Sequence, residues 1–272
     1  MKLNRKLTVK KMAMIFITVI SMSSLASLQG CAMNATDNIN TMVMDDAHKN
    51  KRTEINFEAG KIIEMAYFSI ETGKEAQIKD QYFPKIMPIM AKYGGKMLGS
   101  FQVSKKIEGD ISPQSVGVFE WPSLEARDQL INDSDAKKLF PIRDDALSFI
   151  KLAYFTVEKD ITVTFRGDKT YEFFNAWLTA DAKTNLPKYF ERSAEAKDRI
   201  GQPKFLATFK PLDNDPGGEY ILNPQMSGIV EWSNSSDYYE LIADSEFKKA
   251  APYLEKSLKR IDMLHTRFNF PK

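Results

Sequence analysis

The sequence is poor in the residues that mark most recognisable chemistry. Its 272 residues include one cysteine, Cys31, and two histidines, His48 and His265. A single cysteine makes no internal disulfide, and with two distant histidines the usual zinc ligand sets are missing. There is no HxxxH or HxH pair, no GxSxG elbow and no glycine-rich phosphate loop. Excess charge of one sign is also missing: 38 Lys and Arg stand against 36 Asp and Glu. That balance excludes the basic footprint of a nucleic-acid binder. The apolar stretch from Met12 to Leu28 is broken by Thr18 and several serines. It is short and interrupted for a membrane-spanning helix.

What is present at the start is a pattern of export. Lys2, Arg5, Lys6, Lys10 and Lys11 precede that apolar stretch, and small residues close it. A positive start, an apolar middle and a small-residue end predict a secretory signal over residues 1–30. Its last residues, LQGC from Leu28 to Cys31, resemble a bacterial lipobox. The resemblance implies that Cys31 becomes the diacylated first residue of the mature chain, a membrane anchor made of buried acyl chains. Ala32 after the cysteine, rather than Asp, implies by the same resemblance the outer membrane, facing the periplasm. Removing five basic residues and no acidic ones turns a net charge of +2 into −3. Residues 32–58 are polar, lack a sustained period and read as a flexible tether that carries His48.

Beyond the tether the chain repeats itself. GVFEWPS at 117–123 returns as GIVEWSN at 228–234. Tyr82-Phe83 answers to Tyr189-Phe190, GKMLGSF at 95–101 to PKFLATF at 203–209, and LINDSDAKK at 130–138 to LIADSEFKK at 241–249. Matched blocks in one order predict a duplication, with units over 59–160 and 161–272. In each unit the periodicity predicts strand, helix, strand, strand, helix, strand. The strands are Ile62–Ile70, Lys96–Ser104, Ser115–Trp121 and Phe149–Val157, answered by Glu172–Thr179, Lys204–Lys210, Ser227–Trp232 and Ile261–Phe270. Ser123 and Ser235 are expected to cap the second helices. Gly117 and Gly228 are expected to admit a close backbone. The fold class is α+β: two tandem ferredoxin-like βαββαβ units whose antiparallel sheets pack together.

The aromatic helix start Tyr82-Phe83-Pro84, the helix end YGGK from Tyr93 to Lys96 and the strand end FEWPS from Phe119 to Ser123 resemble an uncharacterised bacterial domain family. That family belongs to the dimeric α/β-barrel superfamily. The fit is good over residues 61–157. The second copy departs, with one glycine, Gly201, for Gly94-Gly95 and Ser233 for Pro122. The resemblance implies a barrel made from two sheets, here a pseudo-dimer within one polypeptide. Its superfamily holds monooxygenases, haem-degrading enzymes, isomerases and ligand sensors, so fold alone selects no function.

Strand alternation names candidates for a site inside the barrel. Met65, Tyr67 and Ser69 align with Phe173, Asn175 and Trp177. Tyr154 and Thr156 align with His265 and Arg267, and all of these are expected to face inward. Ala153, Phe155, Val157, Leu264, Thr266 and Phe268 are then expected to face the helices. Glu120 and Glu231 take the more polar face of their strand, opposite Trp121 and Trp232. The expected ligand-binding set is Tyr67, Glu120, Tyr154, Asn175, Trp177, Glu231, His265 and Arg267. Because buried charges need partners, Arg267 or His265 is expected near Glu231. Each residue also has a plainer reading: ion pairing for the glutamates, a satisfied core histidine for His265, packing for the aromatics.

The leading expectation is a lipid-anchored protein binding a small apolar or aromatic ligand, or a partner. It has no cofactor, no metal and no nucleic acid. An alternative is a cofactor-independent monooxygenase or isomerase, with His265 or Glu231 as base and Arg267 holding an oxyanion. Haem binding through His265 is a third reading. A structural envelope protein with a filled interior is a fourth.

Overall fold

The structure, a computed structural model, describes residues 49–212 and 220–270. The expected lipid site Cys31, the signal, His48 and most of the tether lie outside these residues. Among the described residues, eight of the strands and six helices follow one another in two similar sets.

The first set runs β2 (Ile62–Ile70), a π-helical turn (Gln77–Tyr82) leading into α1 (Phe83–Lys92), β3 (Lys96–Glu108), β4 (Ser115–Trp121), α2 (Leu124–Asn132), α3 (Ser134–Ala146) and β5 (Leu147–Thr156). The second runs β7 (Thr170–Leu178), α4 (Ala182–Arg199), β8 (Lys204–Pro211), β9 (Met226–Trp232), α5 (Ser235–Ala243), α6 (Ser245–Ser257) and β10 (Leu258–Phe268). Eight antiparallel strands close into one barrel in the order β10-β3-β4-β2-β5-β8-β9-β7. Each half is a ferredoxin-like sheet. The halves meet where β3 pairs β10, from Phe101↔Phe268 to Glu108↔Met263, and where β5 pairs β8 at Phe155↔Pro211 and Thr156↔Lys210. This is the pseudo-dimeric α/β barrel expected from the repeat. Closure removes the sheet edges that a single half would leave unpaired.

Caps fix where the helices begin. Ser123 accepts from the Ala126 amide at the start of α2. In the second half the cap is Asn234, not Ser235, and Asp237 completes a capping box with it. Asp133 and Asp244 end one helix and cap the next, each accepting two backbone amides. The conserved block LINDSD/LIADSE is therefore a corner between two helices, with its aspartate as the hinge cap.

One segment departs from the sequence reading. Arg52–Phe57, assigned to the tether, is a strand, β1, and it pairs with β6 (Ile161–Arg166) from the link between the repeats. Ile55, Phe57, Val163 and Phe165 from this ribbon belong to the same buried cluster as the barrel interior. Alternation in TEINF and TVTF is legible, but so short a ribbon is stable only against a larger apolar surface.

The barrel interior is a packed core. Phe101 meets Phe173 at 4.7 Å, Phe165 at 5.0 Å and Phe268 at 5.1 Å between ring centroids. Phe57 meets Phe209 at 5.2 Å, edge to face. Such contacts add about 0.5–1.5 kcal/mol per pair to the burial itself. Two further apolar clusters lie outside the barrel wall, one under the helices of each half.

Candidate functional site

Directly opposed residues of antiparallel strands share a face. Met65 opposes Ala153 and Tyr67 opposes Val116, and these point into the barrel. Glu64 opposes both Tyr154 and Phe119, so these lie together on the helix side. The first-strand faces are therefore as expected. The last-strand faces are reversed: Ala153, Phe155, Val157, Leu264 and Phe268 fill the barrel, while Tyr154 and His265 lie beneath the helices. The physical reason is volume and pairing. The barrel takes bulky apolar groups, and the polar Tyr154 and His265 find carboxylates, Glu64 and Glu172, as cross-strand neighbours.

The other sequence candidates are scattered. Tyr67 and Asn175 meet inside the barrel, where Asn175 Nδ2 donates to the Tyr67 hydroxyl at 2.8 Å. Glu120 is buried at the rim and pairs with Lys96 at 2.8 Å. Glu231 opposes Tyr171 and Lys204 on its neighbouring strands. Trp177 carries the Arg260 guanidinium 4.3 Å above its ring, and Arg260 also pairs with buried Asp262 at 2.6 Å. Arg267 is exposed and opposes Gln102 on β3. Neither Arg267 nor His265 lies beside Glu231: the carboxylate facing His265 is Glu172, at 3.5 Å from Nε2, and Ser235 Oγ contacts Nδ1 at 2.9 Å.

The cavity lies elsewhere. A space of about 140 Å³ separates the sheet of the first half from its helices. Its walls are apolar: Ala66 and Phe68 from β2, Ile78 and Tyr82 from the π-helical turn, Ile86 and Met90 from α1, Phe119 and Trp121 from β4, and Leu152 from β5. Three charged side chains reach it, Glu64, Arg127 and Arg143. Glu64 is enclosed by protein, yet part of its surface stays accessible because the cavity runs along its side. The Trp121 indole donates to Glu64 Oε2 at 2.9 Å. Burial raises the Glu64 pKa above its ordinary value, against the pull of Arg127 and of the Trp121 hydrogen bond. The Arg127 guanidinium sits 5.0 Å over the Tyr154 ring. The Tyr154 hydroxyl is buried next to Glu64 and Arg127, and its pKa is pushed up by burial and by the Glu64 charge, against the pull of Arg127.

The second half repeats part of this arrangement and fills the rest. Glu172 replaces Glu64, and Trp232 donates to it at 3.1 Å. Phe174 stands where Ala66 stands, Tyr238 where Arg127 stands, His265 where Tyr154 stands and Lys197 where Met90 stands. The Tyr238 ring packs on His265 at 5.3 Å and on Trp232 at 5.7 Å. Lys197 lies 4.3 Å over Tyr189, and its partial burial lowers its pKa to about 8. Gly228 permits the ring of Phe174: a Cβ there would lie 2.7 Å from that ring and from the Ala207 carbonyl oxygen.

The sequence reading missed Glu64, Arg127 and Arg143. A signal existed for the first. Glu64 and Glu172 recur at one position of the repeat, on the strand face that otherwise carries apolar groups.

Residues 66–153, within the first repeat, match the model of a domain of unknown function (DUF1330). No curated protein matches the chain. Among solved structures, an anthrone oxidase-like protein is similar at 15% identity, covering 79% of this chain and 96% of its own, with a TM-score of 0.47. A candidate monooxygenase from Lactobacillus acidophilus shows 14% identity over 77% of this chain and 94% of its own, at 0.40. A mutant chlorite dismutase from Candidatus Nitrospira defluvii shows 10% identity over 77% and 92%, at 0.49. Likeness at these identities and scores assigns no activity. Among the described residues no cluster of metal-ligating side chains occurs, and no helix is long and apolar enough to cross a membrane.

Proposed function

We propose that the chain is a lipid-anchored envelope protein that binds a small apolar or aromatic molecule carrying an oxygen function, in the cavity of its first repeat. The observation that carries the reading is the cavity itself, an apolar space reached by three charged side chains, Glu64, Arg127 and Arg143. Apolar walls with few convergent polar groups are the usual make-up of a ligand pocket. A cavity of about 150 Å³ lined by aliphatic and aromatic groups takes a benzene-sized guest, which sets the scale of the ligand. The anchor rests on the lipobox-like LQGC ending at Cys31.

The test is native mass spectrometry and absorbance of the full chain, purified in detergent from the membranes of a Gram-negative host. A co-purifying small molecule that is lost in Ala66→Phe supports the reading. The same molecule retained in that variant, or a bare protein mass in both, opposes it. A Cys31→Ser variant is expected in the soluble fraction, and its retention in the membrane opposes the anchor.

A further inference from the structure

The polar corner of the cavity holds more than binding requires. Glu64 presents a carboxyl group, held through Oε2 by Trp121 at 2.9 Å, along the side of an apolar space. Tyr154 opposes it across the strand pair and lies outside the cavity lining, its buried hydroxyl next to Glu64 and Arg127. Arg127, stacked over that tyrosine, brings a positive charge to the same corner. A base and a cation therefore line one and the same apolar cavity. The second repeat keeps the Glu–Trp pair but replaces Arg127 by Tyr238 and Tyr154 by His265, so the full set occurs in the hollow repeat.

We propose that this cavity catalyses proton transfer on a carbonyl ligand, with Glu64 as the base and Arg127 holding the oxyanion. The inference rests on the ligand-binding reading above. In the step, the Glu64 carboxylate takes a proton from the carbon next to the carbonyl. The C–H electron pair becomes the C=C bond of an enolate, and the carbonyl π pair moves onto oxygen. The Arg127 guanidinium stabilises that oxygen. Return of the proton from Glu64 to the α-carbon completes hydrogen exchange, and its delivery to the oxygen gives the enol tautomer. No oxidant, metal or cofactor enters the balance. A carboxyl group kept from water by apolar walls is a stronger base than a solvated one, which suits it to a weak carbon acid.

The probe is 2-indanone, a small aromatic ketone with acidic α-hydrogens. Its α-hydrogen exchange in D₂O is followed by NMR with the full chain in detergent, and its binding by saturation transfer. The expected result is exchange above buffer that falls at least about a hundredfold in Glu64→Gln while binding changes little. Glu64→Asp, which keeps the carboxylate, is expected to recover part of the rate. Binding without exchange above the Glu64→Gln level overturns proton transfer and leaves ligand binding intact. Absence of binding that Ala66→Phe abolishes, for 2-indanone and for phenylacetone alike, overturns both.

Discussion

Ala66 and Phe174 occupy the same position in the two repeats, and the difference between them is the difference between a hollow half and a filled one. Ala66 lines the cavity beneath α1. Phe174 belongs to the packed cluster beneath α4, with the Phe205 ring 6.3 Å away. Duplication supplied two equal frames, and side-chain volume at this point separates their uses.

Exchanging that volume should exchange the property. Ala66→Phe is expected to abolish ligand retention, with a stability change of about 1–3 kcal/mol in either direction, depending on how well the ring fits the space. Phe174→Ala is expected to destabilise by about 3–5 kcal/mol, the cost of a new buried cavity. Urea unfolding of both variants, with xenon or benzene binding to the second, checks this.

Glu64 should make stability depend on pH. Its folded pKa is raised above the ordinary 4.5 by burial. Its contribution is fully present below the unfolded pKa and is lost as pH rises through the folded one. Glu64→Gln removes that loss. Thermal melts should show a gap between variant and parent that is small at pH 4 and grows in the variant's favour by pH 8. A gap that shrinks with rising pH contradicts the assignment.

Lys197 carries the opposite titration. Partial burial over Tyr189 and Phe190 lowers its pKa to about 8. A depressed lysine costs stability while protonated, and the loss is relieved as pH rises through 8 toward its unfolded value. Lys197→Met, which copies Met90 of the first repeat, is expected to raise the melting temperature by about 2–4 °C at pH 6.5. The rise should diminish by pH 10.

Tyr67 and Asn175 form a polar pair inside the apolar barrel. Tyr67→Phe leaves the Asn175 amide, whose Oδ1 is already unpartnered, with no partner for Nδ2. The expected cost is about 1–3 kcal/mol. In an Asn175→Leu background the same change should cost much less, so a double-mutant cycle should give a coupling of about 1 kcal/mol or more.

The architecture was written locally. Alternation in IIEMAYFSI, the cap at Ser123, and the twofold phrase around Glu120-Trp121 and Glu231-Trp232 each fix an element within a few residues. Duplication then fixes their order twice. The inward faces of β2 and β7 follow from the same alternation, and the buried Tyr67 and Asn175 were legible there. Alternation, however, gives two faces without saying which is which. For β5 and β10 the choice was settled by the register that sets Ala153 against Met65 and Leu264 against Phe173. Polar Tyr154 and His265 were thereby turned to the helices, away from the barrel to which their polarity had assigned them.

By itself, then, the sequence determined the repeat and the strand-helix alternation of each copy, because these rest on short-range periodicity and on copies that resemble one another; the barrel was implied by the family resemblance and is closed by the pairing of β3 with β10 and of β5 with β8. Only the tertiary structure decided that the barrel is solid and the space lies under α1. A cavity is what remains after side chains from distant segments have filled the volume. Ala66, the π-helical turn at Gln77–Tyr82 and the charged side chains of Glu64, Arg127 and Arg143 come together only when β2, β4 and β5 are paired and the helices are laid across them.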